Sequence, residues 1–184
     1  MKTEFQKMRS QELYDFSDPE ISASLLHGKE ACLRLNRLTL SSPGYREALL
    51  ELIPGVPETS AVCPPFHCDH GHGIVIGENS FLNYGCIILD GAMVTIGNDV
   101  KIGPGCQLLT PHHPVDYRER RGTHETSYPI SIGDDTWLGG GVIVCPGVSI
   151  GERCIVAAGS VVIRDIPDDS LAAGNPAVVK KRLR

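Results

Sequence analysis

Aliphatic residues return at every sixth position over most of this chain. Ile132, Leu138, Val144, Ile150, Val156 and Val162 keep that spacing through six consecutive terms. Two shorter runs, Ile76, Leu82, Ile88 and Ile96, Ile102, Leu108, do the same. Six is the period of neither an α-helix nor a β-hairpin. It marks a parallel β-helix of hexapeptide repeats, in which each short strand ends at a corner and stacked coils bury one aliphatic column. A β-sandwich with accidental regularity would not hold phase for six terms. Glycine follows many of these aliphatics, as in Ile96-Gly97, Ile132-Gly133 and Leu138-Gly139, where a corner leaves little room for a side chain. Four residues after each aliphatic often sits a small or β-branched residue, such as Val100, Cys106, Thr136, Val142 and Ser160. Aromatic residues make up only 5% of the 184, which suits a narrow prism.

The period is interrupted twice. The step from Ile88 to Ile96 is eight, which places about two extra residues near Asp90-Gly91. Between Leu108 and Ile132 the in-phase residues are Pro114, Arg120 and Thr126, so 110–129 reads as a loop extruded from the coil, rooted at Pro111-His112-His113-Pro114. A long loop in a regular solenoid is usually functional. The first 57 residues follow another rule. Ser17-Asp18-Pro19-Glu20 reads as a helix start, and Ile21, Leu25, Leu26, Ala31, Cys32, Leu35 and Leu38 recur at helical spacing. Ser41-Ser42-Pro43-Gly44 breaks that helix, and a shorter one follows from Tyr45 to Ile53. The expected organisation is a helical arm over 1–57, then a mainly β domain over 58–184 with a basic C-terminal tail.

The net charge of −5 argues against nucleic acid or an anionic membrane as the main partner. Seven cysteines, an odd number, form no CxxC pair. The N-terminus opens no apolar signal segment, and no run of about 18 apolar residues exists to cross a membrane. A cytoplasmic protein with reduced thiols is the expectation. Cys86, Cys106, Cys145 and Cys154 fall at repeat positions that call for a small apolar side chain, so a nucleophilic role is not expected of them. The cluster Cys63-Pro64-Pro65-Phe66-His67-Cys68-Asp69-His70-Gly71-His72 offers three imidazoles and two thiols, yet no standard metal-ligand spacing, so no metal is expected.

The hexapeptides together with Glu12-Leu13-Tyr14, Pro65-Phe66-His67-Cys68-Asp69, Phe81-Leu82-Asn83-Tyr84, Thr110-Pro111-His112-His113-Pro114-Val115-Asp116, Asp135-Thr136-Trp137-Leu138-Gly139-Gly140 and Ala172-Ala173-Gly174-Asn175-Pro176-Ala177 resemble the maltose/galactoside O-acetyltransferase family. The resemblance spans essentially the whole chain. It implies a left-handed parallel β-helix with an N-terminal helical arm and one extruded loop, assembled as a homotrimer with sites between subunits. It also implies acetyl transfer from acetyl-CoA, as cosubstrate, to a sugar hydroxyl. The rival readings are a zinc-dependent carbonic-anhydrase-like enzyme and a non-catalytic β-helix scaffold.

By composition His112 and His113 are equal candidates for a base, since a positioned imidazole can take a proton from a hydroxyl near neutral pH. The resemblance selects His113. Asn83 occupies a corner, where an Asn could be present for its tolerance of left-handed backbone. The resemblance instead makes it an acceptor-orienting group, with Tyr84 beside it. It also places Asp69 and Asp90 against the acceptor, Asp69 favouring the maltose type over the galactoside type. Asp15 and Asp18 flank the arm's acidic position, which Phe16 occupies in a gapless alignment. The Gly140 N–H is implied as the oxyanion donor. Trp137, Ala158, Ile163, Arg164, Lys180 and Lys181 are implied contacts to acetyl-CoA, with Ile163 standing where a Thr is common.

Overall fold

The computed structural model describes residues 1–184. From Ala61 onward the chain winds into a parallel β-helix with three faces, built from strands of two to three residues. One face stacks Ala61–Val62, Phe81–Leu82, Lys101–Ile102, Trp137–Leu138 and Ile155–Val156, and ends on Ser170–Gly174. The second stacks His67–Cys68, Ile87–Leu89, Gln107–Leu109, Ile143–Val144 and Val161–Val162. The third stacks Ile74–Ile76, Val94–Ile96, Ile130–Ile132 and Ser149–Ile150. Like stacks on like: Leu82 on Ile102, Leu138 and Val156, and Cys68 on Ile88, Leu108 and Val144. These inward residues are almost wholly buried and form one continuous core.

The sixfold period is thus the spacing of inward positions around a three-sided coil. At the corner joining the third face to the first, Asn79, Asp99, Asp135, Arg153 and Asp169 all take φ between 53° and 58°. Asn and Asp adopt this left-handed conformation more readily than other non-glycine residues. Buried Cys86, Cys106 and Cys154 take inward corner positions, and burial pushes each thiol upward, Cys86 to about 12. Low thiolate content keeps such side chains inert.

The extra residues near Asp90 recur one coil earlier. His70 stacks on Asp90, which stacks on Thr110, so both early coils carry a widened corner at the same place. Asp90 Oδ1 accepts from the His70 N–H at 2.8 Å and Oδ2 from the Gly73 N–H at 2.9 Å. In the next coil Thr110 Oγ1 accepts from the Ala92 N–H at 3.0 Å and donates to the Leu89 carbonyl at 2.7 Å. Each widened corner is therefore closed by a side chain from the coil above it.

The arm contains helices α1 (Glu4–Arg9), α2 (Pro19–Leu35) and α3 (Tyr45–Leu52). Thr3 and Gln6 form a capping box on α1, and Asp18 caps α2 ahead of Pro19. Ala31, Cys32 and Leu35 of α2, with Leu49 and Leu52 of α3, close the open end of the core. Two side chains occupy the edge of the first coil, where no strand lies beneath. The Tyr45 hydroxyl donates to the Val62 carbonyl at 2.8 Å and accepts its N–H at 3.0 Å. The Asn36 amide pairs with Phe66 N–H and C=O at 2.8 and 2.9 Å. Both satisfy backbone groups that would otherwise be an unpaired sheet edge.

The arm is not purely helical. Tyr14–Asp15 is a strand that pairs antiparallel with His124–Ser127 of the extruded loop, which itself pairs with Pro111–His112. The loop is thus a hairpin, strapped to the arm as a three-stranded sheet. The basic C-terminus is also more ordered than a solvated tail: Ala177–Arg182 is a strand paired antiparallel with Ser170–Gly174.

Helix α2 touches the coil through Gly28. A Cβ there would lie 2.2 Å from the Asp69 carbonyl oxygen. Gly→Ala within a helix ordinarily stabilises by about 1 kcal/mol. Here Gly28→Ala is expected to destabilise by about 1–3 kcal/mol, because backbone must move to admit the methyl. Chemical denaturation of the variant beside wild type checks the sign.

Candidate active site

The three-stranded sheet brings distant residues to one cavity. Tyr14 stands directly opposite Glu125, and its hydroxyl donates to Glu125 Oε1 with Ser127 Oγ at 3.0 Å. Burial, reinforced by the Glu125 carboxylate, holds the Tyr14 phenol well above its ordinary value, so it stays a neutral donor. The other carboxylate oxygen of Glu125 lies 3.4 Å from His113 Nδ1. The Glu125 side chain is only 12% exposed, whereas that of His113 is 55% exposed. Phe16 sets its ring edge-on to the His113 imidazole, centroids 6.2 Å apart.

A carboxylate held on one side and facing an imidazole on the other favours the proton on Nδ1. That leaves the Nε2 lone pair free, as a proton acceptor needs. Apo distances of this kind commonly shorten when substrate binds.

Asp69, His70, His113 and Glu125 share a cavity of about 300 Å³, walled on its apolar side by Phe16 and Leu25 among others. Burial raises the Asp69 carboxyl to about 6, with Asp90 and Glu125 adding to the rise and Lys29 opposing it. His112 points elsewhere, its ring against Tyr128 at 5.9 Å. The two histidines that composition could not separate are separated by the hairpin, whose alternation sends neighbours to opposite sides.

Other predicted residues have different partners. Asp90 is 0% exposed and spends both oxygens on backbone N–H groups, with Arg9 3.9 Å away. It supports the 69–73 corner from within and does not face the cavity. Asp18 is the cap of α2. Asp15 accepts from the Ser17 N–H and hydroxyl, which hold its carboxyl down to about 2. Phe16, between them, is the residue that lines the cavity.

A second group lies on another edge of the prism, where the first face turns into the second. By the strand register, Asn83-Tyr84-Gly85 stacks on Gly103-Pro104-Gly105, Gly139-Gly140-Gly141 and Ala157-Ala158-Gly159. The left-handed residue of the first turn is Gly85, at φ 77°, and not Asn83. Backbone conformation therefore does not explain the asparagine. Its Oδ1 accepts from the Tyr84 N–H at 2.8 Å. The Gly140 N–H donates to no carbonyl of the chain, although the flanking Gly139 and Gly141 N–H groups do. Trp137 stands on this face between Lys101 and Ile155 in register, 53% exposed. The two groups thus lie on separate edges of one chain, with the strand Ile87–Leu89 between Asn83 and the corner from which the hairpin springs.

Residues 129–164 match the profile described as bacterial transferase hexapeptide (six repeats). Residues 7–53 match the maltose acetyltransferase hexapeptide capping motif. The fold superposes on a maltose O-acetyltransferase from Clostridium difficile 630 with a TM-score of 0.96, 36% identity, and coverage of 100% of this chain and 98% of that one. The chain belongs to the maltose/galactoside O-acetyltransferase family. A galactoside acetyltransferase in complex with coenzyme A is similar at TM-score 0.94 and 31% identity, over 100% of this chain and 92% of that one. A hexapeptide-repeat acetyltransferase from Vibrio cholerae complexed with acetyl coenzyme A is similar at TM-score 0.88 and 38% identity, over 100% of both chains.

Within this family frame, the structure adds Tyr14, Phe16, His70 and Glu125 to the cavity. In the sequence, Glu12-Leu13-Tyr14 stands out only as a motif, and nothing marks Glu125. His124-Glu125-Thr126-Ser127 carries no alternation of apolar and polar residues, so no strand signal marks it in the sequence. Ile163, Arg164, Lys180 and Lys181 are all exposed, and the three basic ones make no ion pair within the chain. The cluster over 63–72 disperses: Cys68 Sγ meets Cys32 Sγ at 3.7 Å, His70 and His72 share Ser24, and His67 is exposed. No group of three or more His, Cys, Asp or Glu side chains is arranged to hold a metal ion. No helix is long and apolar enough to cross a membrane.

Proposed function

We propose that this protein transfers an acetyl group from acetyl-CoA to a hydroxyl of a glucose- or maltose-like sugar, with His113 as general base. The observation that carries the reading is the His113–Glu125 pair, anchored by Tyr14 and opening onto the cavity that Asp69 shares. His113 Nε2 takes the acceptor's hydroxyl proton as its oxygen attacks the thioester carbonyl. Glu125 stabilises the imidazolium that forms. The unpaired Gly140 N–H is the donor for the developing oxyanion, a contribution of about 3 kcal/mol where such a donor is preorganised. The proton then leaves with the CoA sulfur, so no covalent acetyl-enzyme is needed. Holding both substrates in one pose removes much of the entropic barrier.

Asp69, as carboxylate, accepts hydrogen bonds from sugar hydroxyls. Asn83 and Tyr84 meet the acceptor from their own edge, while Trp137, Ala158, Ile163, Arg164, Lys180 and Lys181 face acetyl-CoA. The two half-sites lie on different edges of one chain, so a neighbouring copy must supply the missing half. A homotrimer with sites between subunits meets that need. The bound coenzyme A and acetyl coenzyme A of the two relatives support the choice of cosubstrate.

The test is incubation with acetyl-CoA and a panel of glucose, maltose and galactosides, read by product mass because the chain's seven cysteines confuse a free-thiol assay. Acetylated glucose or maltose is expected. Binding of acetyl-CoA without acetylation of any sugar would overturn the sugar reading.

A pH dependence follows from Asp69. Its carboxyl titrates at about 6. Protonation removes part of the acceptor lone-pair capacity, so KM for the sugar should climb below that value, by at most about tenfold per pH unit, with little change above it. Asp69→Asn should show a high acceptor KM without that acid limb.

A further inference from the structure

His70 is 3% exposed and lines the acceptor cavity, yet neither the sequence pattern nor the proposed chemistry uses its side chain. Its hydrogen bonds form a chain of fixed direction. Arg9 can only donate, and its Nη2 lies 3.1 Å from His72 Nδ1, so that nitrogen must accept. His72 therefore carries its proton on Nε2, which lies 3.1 Å from Ser24 Oγ and donates to it. The single hydroxyl proton of Ser24 then goes to His70 Nδ1, at 2.8 Å. With Nδ1 accepting, His70 holds its proton on Nε2.

That Nε2–H has no partner within the chain. Among buried side-chain nitrogen and oxygen atoms only two on Arg46 lack a partner without being open to solvent. The His70 Nε2–H is therefore accessible, and the residue lines the cavity shared with Asp69 and His113. Burial holds the imidazole down to about 4, Arg9 and His72 acting in the same sense and Asp90 against them, so the ring is neutral at physiological pH. Phe5 braces both rings, 5.9 Å from His70 and 5.6 Å from His72 between centroids.

We infer that His70 is an acceptor-binding residue whose Nε2–H donates to an oxygen of the polyhydroxy acceptor beside His113, its tautomer set by the Arg9–His72–Ser24 chain. The inference rests on the proposed function for the identity of the cavity's occupant. Asp69 can only accept from a sugar hydroxyl when ionised, whereas His70 can only donate. Together they read a hydroxyl pair in one orientation, one group giving its proton to Asp69 and one receiving from His70.

The first arm of the test is ring-¹⁵N histidine NMR on the full wild-type protein. His70 is expected with Nδ1 bare and Nε2 protonated, and its Nε2–H resonance should move on addition of maltose. In Ser24→Ala, where Nδ1 loses its partner, both tautomers should be seen. The second arm is kinetic, on the sugar of the panel with fastest turnover. His70→Phe, which keeps a ring without the donor, should raise acceptor KM about tenfold, with kcat within about threefold and acetyl-CoA KM unmoved. His70→Gln, whose amide restores a donor near the ε position, should recover most of that loss. A His70 proton on Nδ1 would overturn the inference whatever the kinetics. So would a correct tautomer with no maltose response and no selective rise in acceptor KM. If no sugar is acetylated, the proposed function fails by itself, and the tautomer with its response to maltose still decides the role of His70.

Discussion

Replacing His113 with alanine is expected to lower kcat by about 10²–10⁴-fold, the usual contribution of a positioned general base. KM for acetyl-CoA should stay where it is, because in the proposed mechanism the base touches the acceptor and not the thioester's carrier. The hairpin should survive, since the His113 side chain is half exposed and its loss leaves no buried group unpaired. His112→Ala is the internal control: its ring packs on Tyr128 and lies outside the cavity, so turnover should stay within about threefold of wild type. Glu125→Gln tests the pair more finely. It keeps the size of the side chain but removes the charge that stabilises an imidazolium, and a loss of about 10–100-fold is expected for an orienting partner of this kind. Steady-state kinetics on all three variants, with product read by mass, separates these outcomes.

The largest expected effect on stability lies at Asp90. Its carboxylate is wholly buried, serves the His70 and Gly73 N–H groups, and sits 3.9 Å from the half-buried guanidinium of Arg9. Asp90→Ala leaves two buried donors and one poorly solvated cation without their partner. Removing one member of such a buried set typically costs about 3–5 kcal/mol. Arg9 keeps its bonds to the Asp90 and Gly91 carbonyls, so α1 should stay attached while the corner over 69–73 loosens. That corner carries Asp69 and His70, so acceptor KM should rise as well. Asp90→Asn should be milder, because one amide oxygen still accepts. Thermal unfolding with acceptor kinetics on both variants checks the ordering, and an Asp90→Ala protein as stable as wild type would remove Asp90 from its structural place.

The coil was legible because its constraint is local and repeated. Every sixth residue must fill the same narrow column, and a corner with no room for Cβ demands glycine, as Gly97 and Gly133 do against the coil above them. The candidate site was legible only where a motif marked it. His113 stands in Pro-His-His-Pro, but its separation from His112 is a property of the hairpin. Glu125 reaches His113 because two residues of the arm, Tyr14 and Asp15, pair with the loop across more than a hundred positions, and no period announces a two-residue strand. Asp90 was misplaced for a related reason. The resemblance sets this aspartate against the acceptor, whereas the irregular step recurs one coil earlier and the carboxylate is what closes it. Asn83 went the other way: the left-handed backbone that could have explained it belongs to Gly85, which leaves the asparagine free for chemistry.

The most direct test joins the two edges of the prism. His113→Ala and Asn83→Ala chains, each with its own affinity tag, are co-expressed, and assemblies carrying both tags are isolated. Each parent alone should be nearly inactive in acetyl transfer. In a mixed assembly, an Asn83→Ala chain still supplies His113 and Glu125, and a neighbouring His113→Ala chain still supplies Asn83 and the Gly140 N–H. Recovery of turnover well above either parent is the predicted result. A mixed assembly no more active than its parents would mean that the two edges never meet, and the site described here would have to be redrawn within a single chain.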